Sequence, residues 1–151
     1  MKLFRGLLLL SAVMLTAHSC QKKVTLEDFN SDFSLFQEYI HSFSSGQISA
    51  YSDIRVLLAF EKSDWEEKQE VDASLFEIQP KVKGKVMALQ KNIIAFIPDE
   101  PLAPDTEYRI TLRLGKLINT PQELSEFRFS VKTFEQDFSV QLLDLQSYSK
   151  E

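Results

Sequence analysis

The two side chains that most readily supply a catalytic thiol or imidazole are scarce in this 151-residue sequence: it has one cysteine, Cys20, and two histidines, His18 and His41. Nucleophilic catalysis needs a base within hydrogen-bond reach of a serine or cysteine. His18 lies in a segment that we expect to be removed, and His41 sits in an apolar stretch where a strand or surface histidine is the simpler interpretation. Glycine-rich phosphate loops, His-x-x-x-His pairs and Cys-x-x-Cys pairs are missing. We therefore predict no catalytic site, no enzyme activity and no cofactor.

Carboxylates cluster in one charged segment, at Asp64, Glu66, Glu67, Glu70 and Asp72. Such groups can bind Ca²⁺, but a preformed calcium loop needs an Asp-x-Asp-x-Asp-Gly order that this segment lacks. We therefore predict a solvated acidic loop and no metal site, and we interpret Asp99, Glu100 and Asp105 in the same way.

Trp65, the only tryptophan, stands among these carboxylates. A tryptophan in a charged loop either folds back onto the core or anchors a contact with a partner. Folding back is our preferred interpretation, and a contact role for Trp65 remains the alternative.

The first 19 residues have the layout of a secretory signal peptide. Lys2 and Arg5 precede a short apolar run, Leu7–Leu15, and small residues follow it. The run is too short to span a bilayer comfortably, and it lacks the amphipathic pattern of a core helix. We predict a lipoprotein signal peptide over residues 1–19.

Cys20 follows the small residue Ser19 at the end of this signal and is the only cysteine, so no intramolecular disulfide can form. The arrangement resembles a bacterial lipobox, whose cysteine is diacylated on sulfur and becomes the new N-terminus. Lipoboxes prefer leucine three residues earlier, where Ala17 stands, so ordinary signal-peptidase cleavage is the alternative. We predict lipidation at Cys20, which makes the membrane a partner, since each buried methylene adds about 0.8 kcal/mol.

Two features of the residues after Cys20 bear on location. In the best-known sorting rule an aspartate directly after the lipidated cysteine retains a protein in the inner membrane, and Gln21 stands here instead. The acidic cluster that some Gram-negative bacteria use for surface export is also missing. We predict a cell-envelope lipoprotein on the periplasmic face of the outer membrane.

Removal of the signal leaves roughly 130 residues, a length that suits one domain with a tether. The formal net charge of −5 becomes more negative because Lys2 and Arg5 leave with the signal. An acidic body of this kind argues against nucleic acid as a partner, since nucleic-acid binding calls for clustered Lys and Arg.

Short stretches of alternating apolar residues follow from residue 38 onward, separated by turn residues and charged connections. Predicted strands lie in residues 39–43, 53–60, 74–80, 83–90, 92–98, 107–114 and 126–134. Residues 44–49 are interpreted as a turn around Gly46. About seven short strands at near-regular spacing predict an all-β, Ig-like antiparallel β-sandwich. The predicted organisation is a tether over residues 20–37, the sandwich over 38–134, and the start of a following domain or linker over 135–151.

The stretch Leu102–Leu112 carries a Leu-x-Pro-x-Thr-x-Tyr motif. Pro104 ends the preceding extended run, and Thr106 favours a local turn. Tyr108 enters the next strand with its ring inward, and its buried hydroxyl needs a backbone partner in the preceding turn. This is the logic of the tyrosine corner of Ig-like sandwiches.

Several motifs resemble, in order, the SbsA-type bacterial Ig-like domain. They are Phe76, Ile78 and Pro80, then Gly84, then Phe96 and Pro98, and finally Leu102, Pro104, Thr106 and Tyr108. The upstream stretch of residues 39–60 is similar to the start of lipid-anchored bacterial alpha-2-macroglobulin family proteins, in which a tether leads into a first Ig-like domain.

This resemblance implies a non-enzymatic, N-terminal domain of a protease-trapping endopeptidase inhibitor, with adjacent macroglobulin-like domains and proteases as partners of the full-length protein. The bait segment and thioester of that family have no counterpart here. Phe138, Val140 and Leu142 alternate like the first strand of a further domain, so a truncated copy, a gene fragment and a short relative all remain open. The alternative function is a stand-alone Ig-like envelope lipoprotein that binds a protein or glycan.

Overall fold

The computed structural model describes residues 29–135, which form two β-sheets that enclose one hydrophobic core. The strands are β1 (Ile40–Phe43), β2 (Gly46–Ile48), β3 (Ile54–Leu58), β4 (Gln69–Glu70), β5 (Phe76–Gln79), β6 (Gly84–Gln90), β7 (Ile93–Pro98), β8 (Glu107–Leu112) and β9 (Phe127–Thr133). Short 3₁₀ turns cover Phe33–Phe36, Ala73–Leu75, Leu114–Lys116 and Gln122–Leu124.

The strand order identifies the fold as an Ig-like β-sandwich, as predicted. One sheet has the order β1-β3-β7-β6-β4, and the other has the order β2-β9-β8-β5. With β1 and β2 as the two halves of the first Ig strand, and with β4 as an extra strand at the β6 edge, these sheets match the ABED and CFG arrangement of constant-type Ig domains. The pairing is antiparallel except between β2 and β9, where Gly46 lies opposite Val131 in a parallel ladder.

Two short strands raise the number above the predicted seven. The stretch around Gly46 is not only a turn, because residues 46–48 pair with the end of β9. The charged connection between β3 and β5 contains β4, which pairs with Ala88 and Met87 of β6. Strands of two or three residues are too short to show an alternating pattern, so only the neighbouring strand reveals them.

The core is built by the alternation that the sequence predicted. Tyr108, Ile110 and Leu112 of β8 are buried, and Phe127 and Phe129 of β9 lie beside them. Burying each side chain of this size contributes about 1.5–3 kcal/mol relative to leaving it exposed.

The chain also packs upstream of residue 38. Phe36 is 3 % exposed, and its ring centroid lies 5.0 Å from that of Phe127. The Ser31 N–H donates to the carbonyl oxygen of Arg128 at 2.8 Å, and the Arg128 N–H donates to Ser31 Oγ at 3.0 Å. Part of the stretch predicted as tether, residues 20–37, is therefore joined to the sandwich. The predicted signal peptide, Cys20 and the predicted strand after residue 135 lie outside the described residues.

Candidate functional site

The residues of the Leu-x-Pro-x-Thr-x-Tyr motif meet at the corner between β7 and β8. Tyr108 is 3 % exposed, and its hydroxyl oxygen accepts a hydrogen bond from the Ala103 N–H at 2.9 Å. The Thr106 hydroxyl donates to the carbonyl oxygen of Pro104 at 2.9 Å and closes the turn. Leu102 is buried directly before this turn. A buried tyrosine bonded to backbone five residues upstream has the geometry of a tyrosine corner.

Thr133 is the final residue of β9 and joins that strand to this corner. Its Oγ1 donates to the carbonyl oxygen of Ala103 at 2.6 Å and accepts from the Thr106 N–H at 2.9 Å. Its own N–H donates to the Thr106 carbonyl at 3.0 Å. The sequence analysis did not single out Thr133. The alternation that places every second residue of this strand in the core, starting from Phe127, includes position 133 and could have identified it.

Phe134 follows directly, with a fixed backbone and an exposed ring. Its N–H donates to the carbonyl oxygen of Ile48 at 3.0 Å, and its carbonyl accepts from the Asp105 N–H at 3.2 Å. The ring is nevertheless 51 % exposed. Beside it, the Asp105 carboxylate lies 2.6 Å from Lys132 Nζ, and this hydrogen bond raises the pKa of Lys132 above its ordinary value.

Tyr51 lies at the same end of the sandwich, in a turn that starts one residue after Ile48. The Ser52 N–H donates to the Ser49 carbonyl at 3.0 Å, and the Tyr51 N–H donates to Ser49 Oγ at 3.2 Å. The Tyr51 side chain is 77 % exposed. An open cavity of about 320 Å³ lies between this side chain and two prolines, Pro98 and Pro101.

We call Tyr51, Pro98, Pro101 and Phe134 together the exit surface, because the described chain leaves the sandwich beside it. The opposite end of β9 holds the entering chain, through the two hydrogen bonds between Ser31 and Arg128. At about 3.3 Å per residue, the extended stretch from Arg128 in β9 to Phe134 just after it spans roughly 20 Å. The chain thus enters the sandwich at one end and leaves it at the other.

Trp65 belongs to the core. It is 6 % exposed and packs within the main hydrophobic cluster, and its N–H donates to the Lys62 carbonyl at 3.2 Å. A ring this buried offers no surface to a partner.

Three carboxylates of the loop around Trp65 form ion pairs on the surface: Asp64 with Lys62 at 3.2 Å, Glu70 with Lys85 at 3.8 Å and Asp72 with Lys116 at 3.6 Å. Exposed pairs of this kind add little to stability, because water and salt screen them.

The described residues bring no catalytic or metal-binding group together. Within residues 29–135, no cluster of three or more His, Cys, Asp or Glu side chains is placed to hold a metal ion. His41 is exposed on β1. A cavity of about 520 Å³ beside β9 is lined by Phe43, Gly46 and Phe129 among others, with no histidine or cysteine in its wall. In the same stretch of chain, no helix is both long enough and apolar enough to cross a membrane.

Comparison with known proteins finds no matching protein family and no matching curated protein. Among solved structures, the chain is similar to an L,D-transpeptidase from Mycobacterium tuberculosis, with 11 % identity and a TM-score of 0.42 over 64 % of this chain. It is also similar to L,D-transpeptidase 3 from that organism in complex with a faropenem-derived adduct, with 11 % identity and a TM-score of 0.43 over 66 % of this chain. The matches cover 40 % and 39 % of those chains. A similarity this distant carries no argument about activity.

Proposed function

We propose that this chain is a lipid-anchored, non-enzymatic Ig-like domain of the bacterial cell envelope, the N-terminal domain of an alpha-2-macroglobulin-like protease trap. The role of the domain is to hold the part of the protein that follows it at a distance from the membrane. The family assignment is supported by the ordered motifs from Phe76 to Tyr108 and by the predicted lipobox at Cys20. The positioning role is supported by one observation: the chain enters and leaves the sandwich at opposite ends.

The separation of the entry and exit points along β9 affects how the domain can transmit position. A lipid at Cys20 would be followed by a short segment and then by the hydrogen bonds between Ser31 and Arg128. The chain leaves after Phe134, whose N–H and carbonyl are both bonded to neighbouring strands or turns. Between these two points runs β9, which is paired with β8 over most of its length and with β2 over residues 131–133, and a strand paired in this way resists bending. The domain therefore acts as a spacer about 20 Å long along β9.

The height of the exit end above a membrane tests this role. The lipidated chain would be placed in phospholipid vesicles that carry an energy acceptor in their headgroups, with a fluorophore on a cysteine introduced at Gln136. Because Cys20 is the only native cysteine and would be consumed by lipid, the introduced thiol is the only reactive one. A matched variant carries the label on a cysteine at Asn30, at the entry end.

We expect strong energy transfer from position 30 and much weaker transfer from position 136. Equal transfer from both positions would mean that the sandwich lies flat on the membrane, and the spacer role would be wrong. Replacing Cys20 with serine should abolish vesicle binding of either variant. Retained binding would argue against the lipid anchor.

The protease-trap part of the proposal has a separate test. The reading frame would be sequenced beyond the codon for Glu151, and the protein product of the cell would be sized with an antibody against the sandwich. Further sandwich domains and a protease-sensitive segment support the trap. A product that ends at Glu151 would leave a stand-alone envelope lipoprotein as the better proposal.

A further inference from the structure

We propose that the exit surface is a docking site for the segment of this same chain at residues 138–143, so that the outgoing chain is held in a fixed direction. This inference deepens the positioning role and rests on it for its purpose. Its evidence and its test are independent of lipidation and of the protease trap.

The first argument is that the exposed aromatic rings stand on fixed backbone. Only three large apolar side chains among residues 29–135 are more than half exposed, and Tyr51 and Phe134 are two of them. The backbone of Phe134 is bonded on both sides, to Ile48 and to Asp105. Tyr51 sits in a turn closed by Ser49. The rings are therefore exposed on bonded backbone and not through fraying, so both are available for a contact.

The second argument is the shape of the surface. The cavity between Tyr51, Pro98 and Pro101, of about 320 Å³, is large enough to receive a leucine or phenylalanine side chain. Proline rings keep their shape on binding, so little conformational entropy is lost when the cavity is filled.

The third argument identifies the occupant. The described chain stops at Glu135, one residue after Phe134, so the next residues are tethered to the exit surface. Four residues of extended chain reach at most about 14 Å, which brings Phe138 within range of the Tyr51 turn. Such a short tether gives an effective concentration on the order of millimolar, so even a weak contact is populated.

The fourth argument is the composition of the segment. Residues 138–143, with the sequence FSVQLL, place Phe138, Val140 and Leu142 at alternate positions, and Asp137 and Asp144 flank the segment. In an extended chain, side chains at alternate positions share one face. These three apolar side chains can therefore pack together against the exposed rings of the exit surface.

Hydroxyl-radical footprinting with mass spectrometry tests this docking, because it reports the exposure of individual side chains. The probe protein is the chain from residue 20 to 151 with Cys20→Ser, which is not lipidated. It is compared with a variant that replaces Phe138, Val140 and Leu142 with serine. The matched control changes the intervening polar positions, Ser139→Gly and Gln141→Ser. Leu35, which is 59 % exposed and lies near the entry end, is the internal reference.

We expect the triple serine variant to raise the oxidation rates of Tyr51 and Phe134 severalfold, with no change at Leu35 and no change in the control variant. Equal rates in all three proteins would overturn the proposal. Protection that disappears on dilution would assign the surface to a second copy of the chain and would also overturn it. Fluorescence of the buried Trp65 checks that every variant is folded. No lipid or vesicle is present in the footprinting experiment. A negative footprinting result therefore does not affect the spacer proposal, and a negative energy-transfer result does not affect the docking proposal.

Discussion

Thr133 Oγ1 lies 2.6 Å from the carbonyl oxygen of Ala103, and this contact joins β9 to the corner where β8 begins. The same oxygen accepts the N–H of Thr106, so one fully buried hydroxyl satisfies two backbone groups of the corner. Phe134 and the exit surface follow one residue later. The corner thus holds in place the point at which the chain leaves the domain.

Replacing Thr133 with valine should destabilise the fold by about 2 kcal/mol, because the Thr106 N–H and the Ala103 carbonyl each lose a partly buried hydrogen bond. Thr133→Ser keeps the hydroxyl and should cost about 1 kcal/mol, the loss of one buried methyl group. Urea unfolding measures both. A valine variant no less stable than the serine variant would contradict the role of the hydroxyl.

Replacing Tyr108 with phenylalanine should cost about 1–2 kcal/mol, because the Ala103 N–H loses its acceptor at a partly buried site. Tyr51→Phe is the matched control, since the Tyr51 side chain is 77 % exposed and its hydroxyl can be solvated. The control should change stability by less than about 0.5 kcal/mol. Equal losses in the two variants, measured by the urea midpoint, would argue against the tyrosine corner.

Replacing Gly84 with alanine should destabilise the sandwich by about 1–3 kcal/mol through overpacking. A Cβ at this position would press on the carbonyl oxygen of Ile97 and would lie 2.5 Å from Cζ of the Phe96 ring. Gly46 provides the contrast. Its φ of 67° is a left-handed backbone conformation, but a Cβ at this position would meet no atom within 4 Å. Gly46→Asn should therefore be tolerated better than Gly84→Asn in thermal unfolding, since asparagine adopts this conformation readily. The reverse order would contradict the packing argument.

Replacing Trp65 with alanine should cost about 3–5 kcal/mol, the usual loss for a large aromatic side chain in a core. Trp65→Phe should retain most of the stability. Circular dichroism follows both transitions, because the fluorescence probe is removed. An alanine variant as stable as the wild-type chain would contradict the core role of Trp65 and favour the alternative of a surface contact.

Asp72 makes stability depend on pH in the acid range. The hydroxyl and the N–H of Ser74 donate to its carboxylate, and Lys116 adds a favourable charge, so its pKa lies below the ordinary 3.8. A group whose pKa is lower in the folded state contributes stability above its unfolded pKa and loses it as the pH falls through the folded value. The loss therefore lies below pH 3.8.

The Asp72→Asn variant should lose less stability than the wild-type chain when urea unfolding is compared at about pH 6 and about pH 3. Ser74→Ala keeps the N–H donor and removes the hydroxyl, so it should have an intermediate pH dependence. Identical acid sensitivity in all three proteins would contradict this assignment.

The alternating pattern predicted seven of the nine strands that residues 29–135 form, and the residues that face the core, because a period of two is a local property of each strand. It also predicted the place of Tyr108, since proline and turn-forming residues mark the corner before a strand. It did not predict β2 or β4, each of which exists through pairing with a distant partner. Nor did it include Phe33 and Phe36 in the sandwich, because their stretch has no clear period and packs against strands that come much later in the chain.

The fold class follows from residue order alone, since the alternation within each strand depends on neighbours within a few positions. The predictions of an export signal and of a lipidated Cys20 rest on the same kind of local pattern. The place of Trp65 in the core, the junction at Thr133 and the exit surface do not follow from residue order alone. They depend on which loops and strand ends meet at each end of the sandwich, and that is decided by the packing of two sheets whose strands are far apart in the chain. The proposed spacer role belongs to this second group, because only the tertiary structure places Ser31 and Phe134 at opposite ends of the domain.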